Sequence, residues 1–97
     1  MAQIIYSAHF CDSFTATGLV AKNPSVLHAV ILDGGTGSTG ATLVLNDSED
    51  GSGDDRVKLR APQYGQSQIV FVRPVKFFSG IYATLTSTAG SYTVSWD

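Results

Sequence analysis

Residues 81–96, IYATLTSTAGSYTVSW, contain two runs in which apolar and polar side chains alternate, joined by a short turn. The apolar residues of each run share one parity: Ile81, Ala83 and Leu85 in the first run, and Tyr92, Val94 and Trp96 in the second. A period of two places such side chains on one face of a β-strand and leaves the other face polar. The stretch therefore predicts two half-buried strands around a turn at Ala89-Gly90.

Extended runs and turn signals alternate through the rest of the chain as well. Eight extended segments are predicted, at residues 3–10, 14–21, 25–33, 40–46, 55–60, 67–73, 79–87 and 91–96. The breaks include Cys11-Asp12-Ser13, the run DGGTGSTG (33–40) and Pro74. No segment has the 3.6-residue period of a helix. We therefore expect a single all-β domain over residues 1–97, an antiparallel β-sandwich or jelly roll, with residues 1–17 as either an N-terminal arm or the first strand.

The composition agrees with a β-fold and restricts the partners. The chain has 97 residues, which suits one domain, and combines eleven Ser, nine Thr and ten Gly with only 14% charged residues. These small and hydroxyl-bearing residues suit strands and tight turns and are poor helix formers. The net charge of −2 provides no overall attraction to nucleic acid or to an anionic membrane. The low charge instead indicates that a partner covers part of the surface.

The sequence also indicates where the protein is made. Its single cysteine, Cys11, cannot form an internal disulfide, so the chain does not look like a disulfide-stapled secreted scaffold. The first ten residues, MAQIIYSAHF, lack the basic start and long apolar run of a signal peptide. No apolar run approaches the ~20 residues that a membrane-spanning helix needs. We expect a soluble protein made in a cytoplasm.

Two predicted strands are apolar on both faces. They are VLHAVIL (26–32) and IVFV (69–72). Such a strand is either central and covered on both sides, or presents one face to another subunit. The candidate partner contacts are Val26 or Leu27, Val70 and Val72, with Arg56, Lys58 and Arg60 orienting the partner.

The basic residues Arg56, Lys58 and Arg60 share one face of a predicted strand, opposite Val57 and Leu59. Such a stripe could bind phosphate or an acidic partner surface, or it is a solvated face that pairs with the acids just before it. Interleaved aromatic residues, which a nucleic-acid platform needs, are missing from this strand.

An acidic loop, NDSEDGSGDD (46–55), imitates the start of a calcium-binding loop. Its twelfth position, where such a loop has an acid, is Val57. The simpler interpretation is a solvated hairpin tip, and a calcium-stabilised adhesion domain is the weakest of the functional alternatives.

No catalytic signature is present. His9 and His28 lie in different predicted strands without a cysteine or acid at metal-ligand spacing, and Cys11 has no nearby base. The run GGTGSTG lacks the lysine and the helix of a phosphate-binding loop. We expect a protein that is not an enzyme, with no cofactor and no metal site.

Exposed aromatic residues give a different hypothesis, because sugar-binding sandwiches stack sugar rings on tyrosine or tryptophan. Tyr82 lies on a predicted polar face, and Tyr64 lies in a turn between Pro62 and Gly65. These two tyrosines are the candidate sugar contacts, whereas Trp96 shares a face with Tyr92 and Val94 and is expected in the core or an interface.

Three pieces of the chain together resemble small all-β virion proteins of tailed bacteriophages. The pieces are GLVAKNPSVLHAVIL (18–32), GATLVLNDSEDGSGD (40–54) and PVKFFSGIYATLTSTAGSYTVSW (74–96). The residues that fit a Phe-x-x-Gly-Ile/Leu-Tyr segment and a closing strand are Phe77, Phe78, Gly80, Ile81, Tyr82, Thr93, Val94, Ser95 and Trp96. The resemblance covers residues 18–97 and rests on the order and spacing of these pieces.

This resemblance implies a structural role in the virion, as a capsid decoration (cement) protein or as a small tail or fibre component. It implies the major capsid protein or other virion proteins as partners and a homo-oligomer, with a trimer favoured. The leading hypothesis is a decoration protein that stabilises the shell by packing β-faces between subunits. The alternative is a carbohydrate-binding or host-attachment module displayed on the virion.

Overall fold

The computed structural model describes residues 10–87 and 89–97, and this part of the chain is all-β. It contains eight strands: β1 (Phe10–Phe14), β2 (Gly18–Ala21), β3 (Ser25–Asp33), β4 (Ala41–Asp47), β5 (Asp54–Ala61), β6 (Gln66–Phe77), β7 (Ile81–Thr86) and β8 (Ser91–Trp96). No helix that could cross a membrane is present in the described residues. The predicted all-β fold is therefore confirmed.

The strands form two four-stranded antiparallel sheets that pack against each other. Sheet A has the order β1-β8-β3-β6, and sheet B has the order β2-β7-β4-β5. β4 pairs with β5, β3 with β6, β2 with β7 and β1 with β8. The four pairs are therefore nested in the sequence, with β4 and β5 innermost. One long two-stranded ribbon thus folds over itself, which is the strand order of a jelly roll.

Glycines allow the ribbon to pass from one sheet to the other. The loops β3–β4 and β5–β6 cross side by side, and Gly34 N donates to Gly65 O (2.9 Å) while Tyr64 N donates to Gly35 O (2.8 Å). A Cβ at Gly34 would lie 1.9 Å from the carbonyl oxygen of Pro62, so any larger residue would clash with backbone. The glycine-rich run therefore serves the close approach of two crossovers.

The core lies between the sheets and consists of the side chains that point inward from each strand. In β7 and β8, the inward residues Ile81, Ala83, Tyr92 and Val94 are buried, as the alternation predicts. The other buried apolar residues are Ala21, Leu27, Val30, Leu32, Ala41, Leu43, Leu45, Leu59, Ala61 and Phe77. Full burial of one such large side chain contributes about 1.5–3 kcal/mol.

A bulge in β3 explains why its sequence is apolar on both parities. Leu27 pairs with Trp96 and Ala29 pairs with Ser95, so β3 advances two residues while β8 advances one. His28 is the additional residue, and it shifts the alternation of β3 by one position. The bulge thus accounts for part of the two apolar parities of this run without a cover on both faces of the strand.

The shift brings most of the large apolar residues of β3 to the same side. Leu27, Val30 and Leu32 are all fully buried, although Leu27 has the opposite parity to the other two. Ala29 and Ile31 point away from the core and are half-buried. β3 is central in sheet A, as one of the two interpretations of its sequence required.

A second bulge, in β6, corrects the predicted strand end at Pro74. β6 pairs with β3 up to Val70 and again from Val75, whereas only His28 lies between the matching residues of β3. Residues 71–74 therefore bulge from the edge of sheet A, and β6 continues to Phe77. Proline is tolerated at a bulge in an edge strand, because no ladder hydrogen bond from its nitrogen is needed there.

The beginning of the chain also differs from the prediction. Cys11-Asp12-Ser13, predicted as a turn, lies within β1, where Asp12 pairs with Val94. The predicted segment 3–10, which includes His9, lies outside the described residues except for Phe10. Within 10–17, the chain forms β1 and enters sheet A.

Candidate interaction surface

The β6 edge, residues 66–72, is the most apolar exposed border of the molecule. Val70 is 73% exposed and Val72 is 99% exposed, while their neighbours Ile69 and Phe71 pack against the core. β6 has one neighbour in sheet A, so its other side presents unpaired backbone groups. Both valines named as partner contacts from the sequence are therefore available to a partner.

The other edge strands are less open to association. β1 and β2 have five and four residues, whereas β6 has twelve. β5 has eight residues, but its outward side chains include Arg56, Lys58 and Arg60, all exposed. Like charges along an edge oppose pairing with a second copy of the same strand. No charged residue occurs from Gln66 to Val72.

The outer face of sheet A continues the β6 edge, and its two central rows are uncharged. These rows across the sheet are Cys11–Ser95–Ala29–Val70 and Ser13–Thr93–Ile31–Gln68. The hydroxyl oxygens of Ser13 and Thr93 lie 2.8 Å apart and tie β1 to β8 on this face. Most of these side chains are small, so another surface could approach the two rows closely. Asp33 in the next row and Lys76, which pairs with Val26, bring charges to the two ends of the same face.

Leu27 does not belong to this surface. Its side chain is fully buried in the core, because the bulge at His28 turns it inward. This corrects Leu27 as a candidate partner contact. Val26, the alternative named with it, is half-buried, and its backbone pairs with Asp97 through two hydrogen bonds of 2.8 and 3.0 Å.

The predicted basic stripe lies on the outer face of sheet B. Lys58 pairs with Val44 and Arg60 pairs with Thr42, so these two cations border an otherwise uncharged face. Arg56 is different, because its guanidinium lies 3.4 Å from the carboxylate of Asp47. The three residues therefore do not act as one unit, since one of them already has an intramolecular partner.

Asp47 is a buried anchor for the chain around it. Its side chain is only 8% exposed, and its Oδ1 accepts a hydrogen bond of 2.8 Å from Ser79 N. Burial raises the pKa of Asp47, but hydrogen bonds from the backbone of Ser79 and Phe78, together with Arg56, outweigh it and bring the pKa below its ordinary value of 3.8. Asp47 thus fixes the β6–β7 connection against the β4–β5 hairpin.

Phe78 forms an aromatic and cationic cluster that the sequence did not predict. Its ring is 60% exposed, and the Arg56 guanidinium carbon lies 5.6 Å from the ring centroid. Lys76 Nζ lies 5.8 Å from the same centroid. The two cations come from different sheets, since β5 belongs to sheet B and β6 to sheet A. Each distance fits a cation–π contact. The two cations meet at one ring only because of the order of the strands in the two sheets.

The acidic loop is held by hydrogen bonds within the protein. Asn46 Nδ2 donates to Gly53 O (2.8 Å) and Asp55 Oδ1 (2.9 Å), and Asn46 Oδ1 accepts from Ser48 Oγ and Gly53 N. Asp50 Oδ1 accepts from Ser52 N and Oγ. The Oδ1 atoms of Asn46 and Asp50, two of the oxygens at calcium-loop positions, thus already accept hydrogen bonds from protein donors. No group of three or more possible metal ligands occurs among residues 10–87 and 89–97.

The two tyrosines proposed as sugar contacts do not form one site. Tyr64 is 76% exposed in the β5–β6 loop, with a φ of 60°. Tyr82 is half-buried near the other end of sheet B, where a Cβ on Gly51 would lie 3.1 Å from its ring. The length of β4 separates the two ends, because β4 starts near the first tyrosine and ends near the second.

An aromatic cleft lies at the same end of the sandwich as the acidic loop. Phe10 and Trp96 stack with their ring centroids 5.5 Å apart, and Phe10 is 60% exposed. They line an open cleft of about 380 Å³ whose polar residues include Lys22, Asn23 and Asp97. The sequence placed Trp96 in the core or an interface, and the structure has it half-buried at the border of both.

The remaining candidates have structural positions without an evident chemical role. His28 Nε2 lies 3.6 Å from the Asp97 carboxylate, which ties the β3 bulge to the end of β8. Cys11 is an exposed free thiol in β1. Neither residue lies among nucleophile, base and oxyanion donors in the arrangement that acyl transfer needs.

No known protein family, curated protein or solved structure matches the chain.

Proposed function

We propose that this protein is a structural component of a tailed-phage virion, a capsid decoration protein made in the host cytoplasm, which associates with copies of itself and with the major capsid protein. The observation that carries the proposal is the exposure of Val70 and Val72 on the uncharged β6 edge. An exposed apolar strand edge is a liability in a solitary protein and is suited to association. The jelly-roll strand order adds support by analogy only, since viral capsid and lectin domains share it.

The mechanism is mechanical. The two uncharged central rows of sheet A and the β6 edge together offer an area that loses water when another surface covers it. Each Å² of apolar area removed from water contributes about 25 cal/mol, and the contribution repeats in every copy of a symmetric assembly. A homo-oligomer, with a trimer as the favoured state, would cover this face before or while it meets the shell.

The first experiment measures self-association by sedimentation velocity over a range of concentrations. The double variant Val70→Ser/Val72→Ser should shift the protein towards monomer, because it removes two exposed apolar side chains. Tyr64→Asn is the matched control, since it removes an equally exposed side chain at a turn whose positive φ asparagine tolerates. Wild-type protein that stays monomeric, or equal behaviour of both variants, contradicts the proposed interface.

A second experiment addresses the virion. Quantitative mass spectrometry of purified particles should find hundreds of copies if the protein decorates the shell. A few copies would favour a tail or fibre component, and complete absence from particles would refute the virion role.

The cleft at Phe10 and Trp96 favours a second candidate, the carbohydrate-binding module. An aromatic wall beside Lys22, Asn23 and Asp97 combines a surface for sugar stacking with hydrogen-bonding groups. Trp96 is the only tryptophan, so its fluorescence reports directly on this cleft. Titration with a panel of hexose disaccharides should quench or shift this emission in wild-type protein and not in Phe10→Ala. No spectral change with any sugar would remove this candidate.

A further inference from the structure

The charges of the chain are separated into two adjacent segments of opposite sign. Residues 46–55 contain five acids and no cation, and residues 56–76 contain five cations and no acid. The whole chain has only eight acids and six basic residues. A net charge near zero therefore hides a strong internal asymmetry, which acts on a partner at short range.

Most of these charges make no intramolecular ion pair within the described residues. Arg56 and Asp47 pair with each other, and no ion pair within the described residues involves the other eight. The four remaining acids form the acidic tip: Glu49, Asp50, Asp54 and Asp55. The four remaining cations form the basic edge: Lys58, Arg60, Arg73 and Lys76. All eight residues are exposed.

The fold prevents the acidic tip from covering the basic edge of the same molecule. The tip is the β4–β5 turn at one end of the sandwich, whereas the basic edge follows the side formed by β5 and β6. Arg60 lies five residues along β5 from Asp55, which corresponds to about 17 Å in an extended strand. The two surfaces can therefore neutralise each other only between different molecules.

The tip is also suited to docking because it is already ordered. Asn46 holds the two arms of the turn together, and Ser52 N and Oγ fix the Asp50 carboxylate. Direct cross-strand pairing places Asp47 opposite Asp54, two like charges that would otherwise repel. Preorganisation lowers the entropy that binding must overcome.

We infer that the basic edge receives the acidic tip of a second copy of this chain. The inference rests on the self-association proposed above and specifies which surface of one copy meets which surface of the next. Two different surfaces meet, so the contact is heterologous and generates a ring when the rotation between copies closes. The apolar β6 edge lies along the same side of the molecule, so Val70 and Val72 would be covered in the same contact.

The experiment uses two charge-reversed proteins, studied alone and mixed. The edge variant is Lys58→Glu/Arg60→Glu, and the tip variant is Glu49→Lys/Asp54→Lys. None of these four side chains makes a hydrogen bond or ion pair within the described residues, so both variants should fold. Lys22→Glu reverses the one cation that belongs neither to the basic edge nor to the Arg56–Asp47 pair, and it serves as the control.

Sedimentation at about 25 mM and about 500 mM NaCl gives the readout, because screening weakens exposed charge pairs. Each variant alone should associate about tenfold more weakly than wild type at low salt, whereas the control should match wild type. An equimolar mixture of the two variants should recover association where the variants alternate, because the tip of each then meets an edge of opposite charge, whereas a ring of three keeps one mismatched contact. Recovery in the mixture is specific to tip-to-edge docking.

Two results would overturn the inference. If wild type, both variants and the mixture form the same salt-insensitive oligomer, docking of tip to edge is wrong and self-association through the apolar face stands. If wild type is monomeric at low salt at every concentration, both the docking and the self-association are wrong. Folding of each variant is checked by urea denaturation, and an unfolded variant is replaced by Lys58→Gln/Arg60→Gln or Glu49→Gln/Asp54→Asn.

Discussion

The phenol of Tyr92 donates a hydrogen bond of 2.7 Å to the backbone carbonyl of Ala16, and this bond joins β8 in sheet A to the connection that leads into sheet B. The Tyr92 ring is buried and stacks on Phe14 with centroids 5.3 Å apart. The Tyr92 side chain thus holds the β1–β2 connection against β8.

Tyr92→Phe should lower the free energy of unfolding by about 1 kcal/mol, because it removes one hydrogen bond and retains the packing. Burial, followed by the proximity of Tyr82, raises the pKa of Tyr92 from 10.0 to about 12. The folded state holds the phenol proton more tightly, so this contribution to stability is present below pH 10 and is lost as the pH rises towards 12. Urea denaturation at neutral and alkaline pH measures both effects. Tyr64→Phe is the control, and an equal loss there would contradict the role of Tyr92.

Acid should weaken the protein through Asp47. The pKa of this carboxyl is lowered in the folded state, so its stabilising contribution is present above the ordinary value of 3.8 and is lost as the pH falls through the lower folded value. Asp47→Asn should reduce stability at neutral pH and flatten the dependence on pH below 4. Denaturation curves between about pH 2 and 7 test this. Glu49→Gln, at an exposed site in the same hairpin, is the control for the loss of a carboxylate.

Asn46 should be the most sensitive residue of the acidic hairpin. Asn46→Ala removes four hydrogen bonds at a buried position and deprives the Ser48 hydroxyl and the backbone N–H and C=O of Gly53 of their Asn46 partner, which should cost about 2–3 kcal/mol. Ser52→Ala, at an exposed position, should cost less than about 1 kcal/mol. Thermal denaturation measures both variants.

Calcium should leave the melting temperature of the wild type unchanged at millimolar concentration, because both lone pairs of Asn46 Oδ1 already accept protein hydrogen bonds. A rise of several degrees would mean that the hairpin rearranges around a cation.

Gly80 should tolerate no side chain. Its φ is 145°, and a Cβ there would lie 2.6 Å from the carbonyl oxygen of Ala21. Gly80→Ala should therefore destabilise the protein by about 2 kcal/mol or more. Gly18→Ala is the matched control, because nothing lies within 4 Å of a Cβ at that position. Equal stability of the two variants, measured by urea denaturation, would contradict the close crossing at Gly80.

Alternation in the sequence predicted the strands that have one polar face. The predicted bounds 25–33 and 91–96 agree with β3 and β8, and Val57 and Leu59 face inward as expected. These predictions succeed because burial of one face imposes a period of two on the sequence. Pro74 misled the prediction of β6, since a proline normally ends a strand and only an edge bulge accommodates it.

The interaction surface was only partly predictable. Val70 and Val72 are apolar residues at positions of β6 that do not face the core, and this pattern is visible in the sequence. The cluster at Phe78 is not, because Arg56 and Lys76 are twenty residues apart and meet only through the order of the two sheets. Leu27 was misassigned because no local pattern marks His28 as the residue that shifts the alternation.

The bulge at His28 has a consequence for how such a protein changes over generations. A strand that contains one supernumerary residue carries two phases of the same alternating pattern, so loss of that single codon would leave one unbroken alternation. Leu27 would still point to the interior and Val26 to the outside, because Ala29 would then follow Leu27 directly. A further inserted residue, harmless in a loop, would instead turn the part of this central strand on one side of it inside out.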